Sequence, residues 1–128
     1  MAQYAFDKAF GTVSVLSAGL DAVVGAPADP LAVHITAEAG IDISRHRAQQ
    51  LNANLVSESD LILSMEAAHK HEIMRRYPAV SGKVFRIGEI GRFDVPDPYM
   101  KPVAYFRDAF ELILEGVDAW VPRIKAMN

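Results

Sequence analysis

The residues with chemistry to offer are few and widely spaced. Asp97-Pro98-Tyr99 sets a carboxyl and a phenol on either side of a proline, within a stretch from Gly88 to Pro102 rich in Gly, Pro and Asp. Asp94 lies three residues earlier. Taken alone, an Asp-Pro pair is more often a turn than a catalytic acid. Ser17 offers a hydroxyl where a strand could simply end, and His46 an imidazole that would equally suit a solvated first turn of a helix. His69 and His71 are two apart, so on a helix they point to nearly opposite sides and do not chelate one metal. Glu66 and His69 have the spacing of a carboxylate-bridged metal motif, but no second copy exists. Neither a metal nor a cofactor is expected. Arg45, Arg47, Arg75 and Arg76 read as solvated faces. The 128 residues contain no cysteine, which excludes disulfides, thiolate metal sites and thiol catalysis by these residues.

The elements that must position these side chains follow from periodicity and punctuation. Residues 2–10 suit a helix carrying Tyr4, Phe6 and Phe10. Thr12 to Leu16 is apolar and β-branched, and predicts a strand ending at the turn Ser17-Ala-Gly19. Asp29 suits a helix N-cap, Pro30 the first helical position and Gly40 the residue past the end. Ser44 is placed to cap a short helix from Arg45 to Leu51. The apolar run Asp60 to Ser64 predicts a buried parallel strand. A helix follows from about Glu66 to Tyr77, and a strand from Lys83 to Ile87. Gly88 to Pro102 must be a long loop, and loops of that length are usually functional or disordered. Val103, Phe106, Phe110, Ile113, Val117, Trp120 and Ile124 form one apolar helical stripe, with Pro122 expected to interrupt its end. The order α-β-α-α-β-α-β-α implies an α/β fold, a parallel sheet with helices on both faces, in one domain over residues 1–128. Such folds normally open on a strand; here a helix comes first.

Composition agrees with a globular domain: 51% hydrophobic, 23% charged, and a net charge of −3 that gives no reason to expect nucleic acid or an anionic membrane as partner. No stretch approaches the roughly 20 apolar residues of a membrane helix, and the N-terminus is not a signal peptide. Cytoplasmic residence is the expectation.

Five segments, in order, resemble the low-molecular-weight protein-tyrosine phosphatases: Ser17-Ala-Gly-Leu20, Gly25-Ala-Pro-Ala-Asp-Pro30, Gly40-Ile-Asp-Ile-Ser-Arg-His-Arg-Ala-Gln-Gln-Leu51, Asp60-Leu-Ile-Leu-Ser-Met-Glu66 and Asp97-Pro-Tyr99. The nearest likeness is to the bacterial branch associated with exopolysaccharide tyrosine kinases. By that resemblance Asp97 is the general acid that protonates the departing tyrosine oxygen, and Tyr99 lines the slot for the substrate ring. Ser17 and His46 match positions that hydrogen-bond the phosphate loop from beneath. Met100 stands where some members carry a second tyrosine or a basic residue. The implied substrate is a phosphotyrosine protein, with an exopolysaccharide tyrosine kinase as the suggested partner.

The family's phosphate loop is a Cys, five residues, an Arg and then Ser-Pro, closing a first strand. Met1-Ala-Gln-Tyr4 resembles the segment directly after it. The expectation is therefore a domain without that strand and loop, through a start placed too late, with natural truncation or a pseudoenzyme as runner-up. A thiolate attacks the phosphoryl group while backbone N–H groups and an arginine fork hold its oxygens. General acid catalysis alone is worth about 10²–10⁴, against enzymic accelerations of phosphate-monoester hydrolysis of up to about 10²¹. The chain is expected to be inactive by itself; the alternative is a non-catalytic pseudophosphatase that acts as an interaction or oligomerising protein. Ser17 and His46 are then expected to face a void, water or a substitute partner. The missing strand is, by resemblance, central in a sheet ordered 2-1-3-4. About five large apolar residues lost with it would forgo about 10 kcal/mol, comparable with the roughly 5–15 kcal/mol stability of a whole domain. Rearrangement or a homodimer is expected to compensate.

Overall fold

The computed structural model describes residues 1–10 and 14–127. Helix α1 (Ala2–Ala9) buries Ala5 and Phe6. Helix α2 (Pro30–Glu38) begins as its punctuation requires: the Asp29 carboxylate accepts the Leu31 N–H at 2.9 Å, and Pro30 occupies the first turn. Gly40, just past its end, has φ +77°, a left-handed conformation that costs glycine little. Helix α3 (Ala53–Glu58) has Asn52 as N-cap, accepting the Leu55 N–H at 3.0 Å. Strand β1 (Ile62–Ser64), helix α4 (Ala67–Arg76), a 3₁₀ turn (Pro78–Lys83) and strand β2 (Val84–Arg86) follow, and helix α5 (Val103–Ala126) closes the chain.

β1 and β2 pair in parallel, Leu63 opposite Phe85. These two side chains pack on the cluster formed by α1, α5 and the residues after β2: Phe6, Ile87, Val95, Ile113, Val117 and Trp120. Strand side chains alternate faces, so Val84, also buried, points the other way. A second cluster joins α2 to the N-terminal half of α5 through Ile35, Ile41, Ile43, Phe106 and Phe110. The predicted stripe on α5 thus serves both clusters.

Three expectations fail. The segment Arg45 to Leu51 is not a helix, and Ser44 caps nothing; its N–H is taken by the Asp42 carboxylate at 2.9 Å. The backbone there pairs instead with residues 19–26: Gly19 N–H to Gln49 O, Leu51 N–H to Gly19 O and Ala48 N–H to Ala26 O. The Gln50 side chain adds bonds to Leu20 O and from Ala22 N–H. Ala48 and Leu51 thus donate to partners far along the chain rather than to a helical turn. Helix α3, which the sequence did not suggest, stands just beyond. Pro122 does not end α5, which continues to Ala126. The proline removes one bond, to the carbonyl of exposed Asp118, and its fixed φ remains compatible with a helix. The strand expected at 12–16 lies partly outside the described residues; residues 14–16 are not in a strand, and the nearest ladder contact is a parallel bridge between Gly19 and Gln50.

Gly116 lets α5 approach the turn after β2. A Cβ there would stand 2.8 Å from the Ile87 carbonyl oxygen, while Trp120 Nε1 donates to that oxygen at 3.0 Å. Gly116→Ala gains about 1 kcal/mol of helix propensity but overpacks a rigid backbone contact, which typically costs about 1–3 kcal/mol. Net destabilisation in urea unfolding is expected; an unchanged or raised midpoint would show that the contact relaxes freely.

Candidate functional site

The loop after β2 folds back before it reaches Asp97. Phe93 N–H bonds Gly88 O at 3.0 Å, and a Cβ on Gly88 would lie 2.1 Å from Phe93 O, so only glycine fits. Val95 is buried and donates its N–H to Met65 O at 2.9 Å, just beyond the end of β1. The Asp94 carboxylate accepts the Ala67 N–H at 3.0 Å and Arg86 Nη1 at 2.9 Å. The loop is therefore fixed at 93–95, at the C-terminal edge of two parallel strands, where α/β proteins build their sites.

Asp97 and Tyr99 project from this base. Asp97 Oδ1 accepts the Tyr99 N–H at 3.0 Å, an Asx turn, and Pro98 O accepts the Lys101 N–H at 2.9 Å. Asp97 is exposed, and Tyr99 is 67% exposed. Met100 sits at φ +60°, uncommon for a residue with a side chain, and is also exposed. An accessible carboxyl beside an accessible aromatic face can exchange a proton with a ligand that stacks on the ring.

Ser17 and His46 are brought to the first turn of α1, which the sequence did not single out. Ser17 Oγ donates to Gln3 Oε1 at 2.8 Å, and Gln3 Nε2 donates to Val15 O at 3.3 Å. Gln3 is thus the hydrogen-bond partner of the Ser17 hydroxyl. The His46 ring meets the Tyr4 ring edge-on at 5.8 Å between centroids. Only the nearness of the chain's first turn to the Ser17 and His46 motifs, as given by the resemblance, could have suggested Gln3 and Tyr4. Asp97 and Tyr99 make their hydrogen bonds within their own loop, separate from this pair. Among the described residues no group of three or more metal-binding side chains is present; Glu66 and His69 lie 3.8 Å apart without a third ligand.

Burial holds the Met1 ammonium below its ordinary pKa. His46 is likewise lowered, first by desolvation, then by the Met1 ammonium and Arg47. The fold therefore binds fewer protons at His46 than the unfolded chain does. Its destabilising effect is absent above the ordinary value of about 6.5 and grows as the pH falls through that value. An NMR titration of His46 is expected to show a midpoint below about 6.5; a midpoint at or above it would contradict this environment.

The sequence matches the family "Low molecular weight phosphotyrosine protein phosphatase" over residues 1–128. It is 55% identical over 128 residues to the probable low molecular weight protein-tyrosine-phosphatase EpsP of Ralstonia nicotianae, covering 100% of this chain and 88% of that one. It is 34% identical over 115 residues to the Wzb phosphatase of Escherichia coli K12, covering 89% and 78%. The structure superposes on Vibrio vulnificus Wzb in complex with benzylphosphonate with TM-score 0.91 at 35% identity, covering 95% of this chain and 87% of that one. The fold is accordingly the α/β arrangement of a parallel sheet with helices on both faces, and the chain belongs to the low molecular weight phosphotyrosine protein phosphatase family.

Proposed function

We propose that these residues form the acid-bearing wall of a phosphomonoester hydrolase site for phosphotyrosine proteins, with Asp97 as general acid and Tyr99 beside the substrate ring. One observation carries the reading: the Asp97 turn projects, solvent-accessible, from a loop base fixed at the C-terminal edge of β1 and β2. Ser17 and His46 act as supports for the phosphate-binding segment. The suggested protein substrate is an exopolysaccharide tyrosine kinase in the cytoplasm, on the strength of the sequence motifs shared with that branch.

The 128 residues supply no thiol, and a carboxylic acid does not replace one. In an assay with p-nitrophenyl phosphate the chain is expected to show background turnover only; clear turnover from contaminant-free material would overturn this. The coding DNA just upstream of Met1 separates the two readings. An in-frame Cys, five residues, Arg and Ser-Pro there supports the enzyme, and Asp97→Asn in that longer chain should lower kcat by about 10²–10⁴. A stop codon there favours a non-catalytic interaction protein instead.

We also propose that the 128-residue chain self-associates as a homodimer. The support is a described sheet of two strands together with exposed Leu16, Val23 and Val24. Light scattering at micromolar concentration is expected to give the dimer mass; a monodisperse monomer would refute association.

A further inference from the structure

Asp94 ties its loop to two other elements of the fold. One oxygen, Oδ1, accepts from two separate elements: the first N–H of α4 at Ala67 and the Arg86 guanidinium at the end of β2. Arg86 also grips Glu89 through Nη2 at 3.2 Å, and Glu89 takes Lys70 Nζ of α4 at 2.8 Å. Charges therefore alternate around a closed ring, Lys70, Glu89, Arg86, Asp94, that begins and ends on α4. An isolated exposed ion pair contributes little. This set differs because a backbone N–H and a partly buried guanidinium converge on one oxygen, one residue before the Val95 to Met65 backbone bond. Beyond Val95 the hydrogen bonds among the described residues are the local turns around Asp97 and Pro98, until α5 begins at Val103. Whatever fixes residues 94–95 therefore fixes where Asp97 is carried.

We propose that Asp94 is a positioning residue: with Arg86 and the Ala67 N–H it locks the base of the loop, so that Asp97 is held at one height above the C-terminal ends of the strands. The proposal rests on reading Asp97 as the acid. It adds that the acid's placement, rather than the stability of the domain, is what the Asp94 carboxylate supplies. Asp94 bears on the reaction only through Asp97. Its neighbours explain why it stays ionised in this role, since the Arg86 guanidinium and the Ala67 N–H both hold its carboxyl below the usual carboxylate range.

The absence of cysteine from the chain permits a clean test. Spin labels at Met100→Cys in the loop and Asp118→Cys on α5 report the position of the loop against the core, both sites being exposed. With Asp94 present, and the labelled chain diluted into an excess of unlabelled chain so that only distances within one protomer are read, a single narrow distance distribution is expected. Asp94→Ala should at least double its width, Asp94→Asn should broaden it less, and Asp94→Glu should restore much of the parent width. In parallel, the Val95 amide should exchange about tenfold faster or more in Asp94→Ala, while the Ile87 amide, bonded to Ser64 O, keeps its parent rate. An unchanged width in Asp94→Ala would overturn the proposal. So would loss of protection at Val95 and Ile87 together, which would mark a merely structural residue. Neither readout needs turnover, so a negative result removes the tether without touching the phosphatase reading, and a failed activity assay leaves the tether standing.

Discussion

The docking of the turn after β2 onto α5 is the constraint on which the rest of the architecture depends. Ile87, fully buried, enters the space left by Gly116, and its carbonyl oxygen receives Trp120 Nε1. That contact fixes three things at once. It sets the depth of β2 beneath α5, it aligns β1 through the Ile87 N–H to Ser64 O bond, and it determines the direction in which the chain leaves for the long loop. A bulkier residue at 116 or a chain break at 87 would separate all three, because packed interiors transmit displacement rather than absorb it.

The candidate site residues fall into two separate halves, each held by different interactions. The loop half is polar and local: Asp94 joins α4 to β2, Val95 joins the loop to the end of β1, and an Asx turn orients Asp97 toward Tyr99. The other half is supported from α1, where Gln3 occupies the Ser17 hydroxyl and Tyr4 covers the edge of His46. Gln3 spans Val15 and Ser17, donating with its amide nitrogen to the Val15 carbonyl and accepting with its oxygen from the Ser17 hydroxyl. The described sheet is two strands wide.

The segment 45–51 shows why local pattern misled. Its residues are adequate helix formers and Ser44 is a good cap, but every strong local preference is weak against several long-range backbone bonds. The bonds to residues 19–26, reinforced by the Gln49 and Gln50 side chains, claim the Ala48 and Leu51 N–H groups that a helix would use. Pro122 is the converse case. Its effect was overrated because one lost bond beside exposed Asp118 is tolerated when the same helix buries Val117 and Trp120.

The sequence alone determined the α5 stripe, the capping of α2 by Asp29, the parallel strand at Ile62 to Ser64 and the ordered motifs that gave the family. These depend on periodicity, on residues whose backbone preferences act within a few positions, and on composition over short runs. Tertiary structure alone decided that Asp94 bridges Arg86 and Ala67, that Ser17 turns to Gln3, and that 47–51 pairs with 19–26. Partners 8, 14 and 27 residues apart in these side-chain bonds leave no local signature. They meet because burial of Ile87, Phe110 and Trp120 brings together the segments that carry them.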